Sequence, residues 1–555
     1  MMKRTRVLLL GILLGSVLQS IASAQHAPTT SPAAAPSGPG VLNVRAFGAA
    51  GDGKQLDSPA INKAIEAAAA KGGGTVMFPA GDYLSVSIRL KSNVSLYLDQ
   101  GATIVAADPK EGHKYDPPEP NESDQFQDFG HTHWQNSLIW GDGLENISIL
   151  GPGKIWGKGL VRSGPQSRPG TTQPTNETPT KEGRKPGKFT YPNARDAVEA
   201  GWGNKAIALK LCRNVIIRDV TIRKGGHFAI LATGVDNLTI DNVKVDTDRD
   251  GMDIDCCRNV RISNCTINSP WDDGICLKST YALGYKRATE NVTITNCQVT
   301  GYDEGTFLDG TYKREQRKYS HGTTTGRIKF GTESNGGFKN ITISNCVIEY
   351  SRGLALELVD GGELADVTIT NLTMRDITNA PIYLRLGGRN RAPEGTPVGT
   401  FRRVNISNLT IHNAPMEQSV IIAGIPDHPI EDVKLDNIRI YYAGGGTEEH
   451  ATTRPSDRVT DYPEPQNHGP MPAYGFFVRH VKNLELSDIQ VSTAKPDVRP
   501  PFVIEQARGV DLSNVKATRG DGVPMAILRN VEGLTMHRVQ NVPDTTKEKV
   551  EEERL

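Results

Sequence analysis

Neither sign of charge prevails in this chain: acidic and basic side chains cancel, and the formal net charge is zero. That removes the electrostatic case for nucleic acid or an anionic membrane as a partner. Cys-x-x-Cys pairs are missing, which argues against a structural zinc site. The seven cysteines are odd in number, so at least one has no partner within the chain. Aromatic residues make up only 6% of the sequence while glycines number 57, a balance suited to many short strands joined by turns. Beyond the N-terminus, no apolar run is long enough to span a bilayer.

The N-terminus reads as an export signal. Lys3, Arg4 and Arg6 precede the apolar stretch Val7 to Leu18 and an Ala22-Ser23-Ala24 cleavage site. Residues 1–24 are therefore expected to be a signal peptide and 25–40 a flexible linker, with an uncleaved anchor helix as the alternative. The expected location is secreted or periplasmic, with no stable membrane insertion once the signal is removed.

A chain of 555 residues ordinarily implies several domains, but this one repeats itself. Asn93-Val-Ser-Leu, Asn146-Ile-Ser-Ile, Asn237-Leu-Thr-Ile, Asn259-Val-Arg-Ile, Asn291-Val-Thr-Ile and Asn340-Ile-Thr-Ile each open a short alternating strand, and weaker copies run on to Val510-Asp-Leu. The period, near 22–26 residues between close copies, is that of one coil of a parallel β-helix, with loops inserted where the gap is longer. The expected fold is all-β, a single-stranded parallel β-helix over residues 41–540. The charged tail 541–555 is expected to be mobile.

A second series (Asn264, Asn296, Asn345, Asn371, Asn408, Asn437, Asn514) closes the strands and predicts a buried amide ladder. Cys265, Cys297 and Cys346 share one register and read as inward-facing filler, a Cys265–Cys297 disulfide being the alternative. Ser58 to Lys71 has a helical pattern with Ser58 as N-cap, placed to cover the open N-terminal end of the solenoid. Residues 108–136, 164–200 and 445–472 are polar insertions of the kind that wall a groove.

The carboxylates are the chemistry. Asp246-Thr-Asp-Arg-Asp-Gly-Met-Asp-Ile-Asp255 is followed by Trp271-Asp272-Asp273-Gly274, with Asp250 lying 22 residues before Asp272. One coil apart, these segments stack at about 4.8 Å, with a bend at Pro270-Trp271 free to re-aim one member of the Asp pair. Three carboxyls around one site meet the needs of inverting glycoside hydrolysis: one protonated as acid, another ionised to activate water, about 6.5–9.5 Å apart. An EF-hand reading fails because Cys257 stands where the last ligand belongs. A lyase-type calcium site and plain turn-capping remain as alternatives, and turn-capping is the favoured reading for Asp246, Asp248 and Asp255. Arg327-Ile-Lys329 lies roughly two coils beyond the Asp pair, its two cations on one side of a strand and suited to a substrate carboxylate.

Together these residues resemble glycoside hydrolase family 28, the polygalacturonase family of pectin hydrolases. Its Asn-Thr-Asp motif corresponds to Asp248-Arg249-Asp250, its Asp-Asp motif to Asp272-Asp273, and its Arg-Ile-Lys motif to Arg327-Ile328-Lys329. The resemblance implies a right-handed, pectin-lyase-like β-helix, a pectic poly- or oligosaccharide substrate and a monomeric enzyme without cofactor or metal. It also implies Asp272 as general acid, Asp250 and Asp273 activating water, and Arg327 and Lys329 binding substrate. The chain departs from the family where Asp248 replaces the Asn and where Gly301-Tyr-Asp-Glu-Gly305 lacks the histidine of Gly-His-Gly. Asp248, Glu304, His321 and Arg385 are therefore further candidates for substrate binding. A β-helix polysaccharide lyase acting on uronate polymers and a non-catalytic carbohydrate-binding β-helix are the competing readings.

Overall fold

The computed structural model of the protein describes residues 40–127, 129–161, 201–315 and 323–555. The expected signal peptide, nearly all of the linker, the 164–200 insertion and His321 lie outside the described residues. No helix among the described residues is long and apolar enough to cross a membrane.

The repeat forms a parallel β-helix. A representative coil consists of Asp250–Asp255, Arg258–Ser263 and Thr266–Asn268. Each strand pairs in parallel with its counterpart one coil later: Met252 with Ile275, Val260 with Val292, Ile267 with Val299. Alternation puts every second side chain inside, so aliphatic residues stack on themselves. Leu238, Val260, Val292, Ile341, Val367 and Val404 form one such column, all buried. Over residues 363–442 the second and third strands fuse, as in Glu363–Arg375, which pairs with both Phe338–Ser344 and Val347–Glu349.

The ends differ from expectation in detail. The N-terminal helix runs Ser58–Ala70 with Asp57, not Ser58, as N-cap. Asp57 is buried and its carboxylate accepts from the N–H groups of Ala50 and Gly51, so it ties the helix to the first turn. The charged tail is a strand: Thr545–Arg554 pairs antiparallel with Ala526–His537. Val550 is buried opposite Val531, while the Lys and Glu residues on either side of it stay exposed. The tail thus covers strand edges that an unfinished solenoid would leave open.

The asparagine ladders also lie elsewhere. Asn264, Asn296 and Asn371 are exposed, at positive φ. A left-handed residue is needed where the chain turns between sheets, and Asn tolerates that conformation. Their amides run up the outside: Asn296 donates to Asn264, Asn371 to Asn345, and in the other column Asn259 donates to Asn237 and receives from Asn291. Substituting Asn259 by Ala should destabilise by about 1–2 kcal/mol through αL strain and the broken ladder. Gly, which has no αL penalty, should lose less; thermal melts of the two variants distinguish strain from hydrogen bonding. Cys265, Cys297 and Cys346 are buried filler, and all seven cysteines are free thiols.

Candidate active site

The acidic segments meet because the backbone lets them stack closely. Residues 270–274 form a bend ahead of the Ile275–Ser279 strand, so the face alternation that would separate Asp272 from Asp273 does not apply. Gly251 N–H donates to Asp273 O at 2.9 Å and Gly326 N–H to Asp272 O at 2.9 Å. A Cβ at Gly251 would stand 2.4 Å from Gly274 O, so a side chain there would force the stacked turns apart.

Asp250, Asp272 and Asp273 converge, each offering an oxygen within 4.8 Å of the others. That is tighter than the about 6.5–9.5 Å that admits water between an inverting pair. Such crowding disfavours full ionisation and localises a proton. Burial, then the charges of Asp272 and Asp253, push the Asp250 carboxyl well above the usual range. Burial also works to raise Asp272, but Arg249, Lys329 and Lys278 outweigh it and hold the group at about 2. Arg249 bonds Asp272 at 2.8 Å and lies 3.8 Å from Asp250. Asp273 is likewise lowered, Lys329 and Arg327 overcoming its burial. Of the three, Asp250 is therefore the member that most favours holding a proton, while Asp272, with 30% of its side chain exposed, is the member that faces the opening.

Arg327 and Lys329 are on the very next coil, not two coils away. Cys276 pairs with Lys329 across adjacent strands, although Asp273 and Arg327 are 54 residues apart. The described residues 280–288, 301–315 and 323–327 form no strand, so they add sequence distance without adding a coil. The place one coil further on, opposite Lys329, is taken by Ala355, with Glu357 on the same face. Arg327 Nε donates to Asp273 Oδ1 at 2.7 Å and its NH2 to Glu464 Oε1 at 3.0 Å. Lys329 Nζ lies 3.2 Å from Asp273 and 3.5 Å from Glu357. Both cations are buried, at 2% and 3% side-chain exposure. They balance the acids of this site before any substrate arrives.

The other candidates scatter. Arg385 is buried and donates to the carbonyls of Gly424, Asp457 and Arg458, which pins the 445–472 insertion onto the sheet. Asp248 is half-buried, and its carbonyl accepts from Trp271 N–H at 3.0 Å, stitching the two acidic segments together. Glu304 lies half-buried on a turn that Asp246 anchors by accepting from Gly305 and Leu308 N–H. Asp255 accepts from Thr280 N–H and Oγ1. Asp246 and Asp255 are thus structural, as the turn reading expects.

Several functional neighbours carry no clear sequence signal. Arg249 sits as the spacer of Asp248-Arg249-Asp250, yet it bonds Asp272 and approaches His227 Nδ1 at 3.2 Å. His131 stands 3.5 Å from the fully buried Asp253, which also lies 3.9 Å from Lys278. Glu357 and Glu464 arrive from later coils and a distant loop. A hint was available for Asp253 and Lys278: Asp253 lies between Met252 and Ile254, and Lys278 follows the apolar run Ile275-Cys-Leu277, places where burial demands a partner.

The triad is the group of three or more ligating side chains that approaches metal-site spacing among the described residues. The same oxygens already face Arg249, Arg327 and Lys329, so a divalent ion would enter against fixed positive charge.

Glu357 has a measurable signature. Burial pushes its carboxyl up to about 7 despite Lys329 and Arg327. A raised carboxyl pKa means that the folded state binds more protons than the unfolded one between about 4.5 and 7, so its contribution to stability falls as pH rises through that window and is flat above it. Glu357→Gln should match the parent near pH 4 and gain up to about 3 kcal/mol on it by pH 8, read as a widening difference in melting temperature.

Comparison with known proteins bears on the fold and on the relatives of the chain. Residues 41–128 match the family model described as rhamnogalacturonase A/epimerase, pectate lyase-like, and residues 205–413 match that of a right-handed β-helix region. An exo-poly-α-D-galacturonosidase of Dickeya chrysanthemi is 24% identical over 410 residues, covering 68% of this chain and 63% of that protein. A probable polygalacturonase of Vitis vinifera is 22% identical over 416 residues, covering 72% and 73%. The solved family 28 exopolygalacturonase of Yersinia enterocolitica superposes with a TM-score of 0.56 at 20% identity, over 91% of this chain and 78% of that one. The fold is a right-handed parallel β-helix, and the chain is similar to polygalacturonases in sequence over most of its length.

Proposed function

We propose that this protein is a glycoside hydrolase that cleaves a pectic polysaccharide or oligosaccharide by acid/base catalysis at Asp250, Asp272 and Asp273. The observation that carries this reading is the triad itself: three carboxyls within 4.8 Å, one raised and two lowered in pKa. Acid/base hydrolysis needs that division into a protonated and an ionised carboxyl. The polygalacturonase relatives support the substrate class.

Asp250 stores the proton and Asp272 presents it. A glycosidic oxygen approaching the open edge of Asp272 displaces Arg249 from that carboxylate. Loss of the guanidinium raises the Asp272 pKa, and the proton passes from Asp250 to the leaving oxygen through Asp272. Asp273, fixed by Arg327 and Lys329, is ionised when the glycosidic bond breaks and takes the proton of the attacking water as its oxygen bonds to the anomeric carbon, so the triad ends with the one proton it began with. The resemblance to family 28 implies inversion. Since the triad is too tight to hold water between two members, that water comes in at its edge.

Catalysis then needs one proton on the triad. Activity falls as pH rises through the upper macroscopic pKa and again as pH drops towards that of the ionised members, giving a bell-shaped profile. Asp250→Asn should abolish the bell along with the rate. Hydrolysis is also expected to persist in EDTA and to yield reducing ends without the ultraviolet-absorbing product of a lyase. EDTA-sensitive formation of that unsaturated product would favour the lyase reading instead. The basic and apolar N-terminal pattern (Lys3 to Leu18) supports export to the periplasm or medium, which fractionation of expressing cells tests.

A further inference from the structure

Aromatic residues are scarce in this chain, yet a group of them gathers on one strip of surface away from the triad. The strip follows the outer face of the third strands. Trp156, Arg223, Asp246, Asn268, Thr300 and Glu349 succeed one another there, one per coil. The 301–315 loop folds back over the middle of this column. Asp246 accepts from Gly305 and Leu308 N–H, and Asn268 Nδ2 donates to Tyr302 O. The loop thereby lays down an aromatic series: Phe307 to Tyr312 at 5.9 Å between ring centroids, Tyr312 to Tyr302 at 5.4 Å and Tyr302 to Tyr350 at 5.8 Å. At the other end the Arg223 guanidinium stands 5.6 Å from the Trp156 ring. A Cβ at Gly305 would lie 3.2 Å from Arg223 NH2, so the two ends meet at that turn. Five inter-strand steps separate Trp156 from Glu349, a length of about 24 Å.

These rings are not core. Tyr312 is 50% exposed, and Trp156, Phe307 and Tyr350 are half-buried, with buried Tyr302 beneath them. Tyr350 has a φ of 50° at a turn where the next two coils place Asp376 and Asn413. Asp and Asn tolerate that left-handed conformation, whereas a bulky residue does not, so packing alone gives no reason for a tyrosine there. The basic end is uncompensated. Lys154, Lys158, Arg223, Lys224 and Lys244 are all exposed, and none of them makes an ion pair with a described residue. Lys158 Nζ lies 5.5 Å from the Trp156 ring. The nearby acids are engaged elsewhere: Asp246 on the loop, and Asp309 on Thr311 N–H and Oγ1. At the far end Arg314, bonded to Asp376 at 2.7 Å, stacks 4.6 Å from the Tyr350 ring and holds it in place.

We propose that this strip is a second, non-catalytic binding site for an anionic polysaccharide of the uronate type, held by its carboxylates on the Lys and Arg cluster and by its C–H faces on Trp156, Phe307, Tyr312 and Tyr350. Contiguous exposed rings mark an interaction surface, and clustered cations of one sign call for an anionic partner. A uronate chain supplies both features in every unit. A nucleic acid would supply phosphates and bases, but the chain as a whole has zero net charge and the strip leads directly to acids: Asp246 is four positions before Asp250. A densely charged phosphate backbone is disfavoured there. The same adjacency gives the strip its use, since a polymer held on it lies beside the open edge at Asp272. The choice of polymer rests on the hydrolase reading, whereas the binding test does not depend on turnover.

The test measures binding of polygalacturonate to Asp272→Asn, with and without Trp156→Ala, Arg223→Gln or Tyr312→Ala, by affinity electrophoresis in gels that contain the polymer. Each strip substitution should weaken binding by about fivefold or more, the loss of one exposed aromatic or cationic contact. Added salt should weaken binding by the unsubstituted strip more than by Arg223→Gln. In the otherwise unaltered enzyme the same substitutions should raise KM on the polymer and leave kcat near the parent value. Tyr312→Ala removes a half-exposed ring, so it and Arg223→Gln carry the test if Trp156→Ala fails to fold. Strip variants that bind the polymer as tightly as Asp272→Asn alone would overturn the proposal, as would no binding of polygalacturonate. A neutral galactan held as tightly, or a DNA duplex that displaces the polymer at equal charge, would overturn the uronate assignment. Strip-dependent binding by a parent that hydrolyses nothing would sink the hydrolase reading and leave the strip standing.

Discussion

Asp272→Asn is expected to lower kcat by about 10²–10⁴-fold, the range lost when a positioned acid can no longer transfer its proton, with the fold retained but the melting temperature lowered, because a carboxyl held at about 2 contributes stability at neutral pH that the amide lacks. Asp272 is the half-open member of the triad and the one that Arg249 holds ionised. An amide there keeps the shape but, with one acceptor oxygen, only one of the two hydrogen bonds that Asp272 accepts from Arg249 and from Asp273 N–H, and it cannot carry a proton. Asp250→Asn sharpens the point. Asp250 is buried and its environment favours the protonated form, so the neutral amide should leave folding intact or slightly improved. The rate should nevertheless collapse, because the stored proton is gone. Two variants that fold like the parent and turn over by orders of magnitude less place these groups in catalysis. Near-normal rates in Asp272→Asn would remove it as the acid.

Arg327→Met is expected to have the largest effect on stability. It strands Asp273, Glu464 and Glu357 in a buried site, all within 4.0 Å of the guanidinium. Removing one partner of a buried ion pair typically costs about 3–5 kcal/mol, because the remaining charge keeps its desolvation penalty. Unfolding of a long solenoid need not be two-state, so the effect is best read as a drop in the first denaturation midpoint. Adding Glu464→Gln to Arg327→Met should recover part of the loss, a non-additivity expected of groups in one network. A melting curve for Arg327→Met indistinguishable from the parent would mean that the network does not hold this face together.

Much of the fold is legible in the sequence because a solenoid writes its period directly. The Asn-x-Thr-Ile strands recur at coil spacing, and alternation within each fixes which residues face inward. The triad is legible for the same reason: Asp250 and Asp272 are one coil apart in number as in space. Three features escape that logic. Arg327 is 54 residues from Asp273 but one coil away, since loop length adds sequence distance without adding height; its stated two-coil offset was therefore misplaced. The asparagine ladders repeat correctly, but periodicity does not say whether a left-handed turn residue points in or out, and here the amides face solvent. Glu464 belongs to an insertion with no repeat of its own, and nothing local marks it as the partner of Arg327 and Arg352. Arg249 was hidden differently: a spacer between two acids reads as filler until its guanidinium is seen on Asp272.

The central claim is that a shared proton on three clustered carboxyls drives hydrolysis of a pectic glycosidic bond. The most direct measurement is a time course of parent, Asp250→Asn and Asp272→Asn on pectic oligosaccharides, counting new reducing ends and recording ultraviolet absorbance in the same cuvette. The account predicts reducing ends from the parent alone, with no rise in absorbance. A parent that releases unsaturated product, or an Asp250→Asn variant that hydrolyses at the parent's rate, would contradict it.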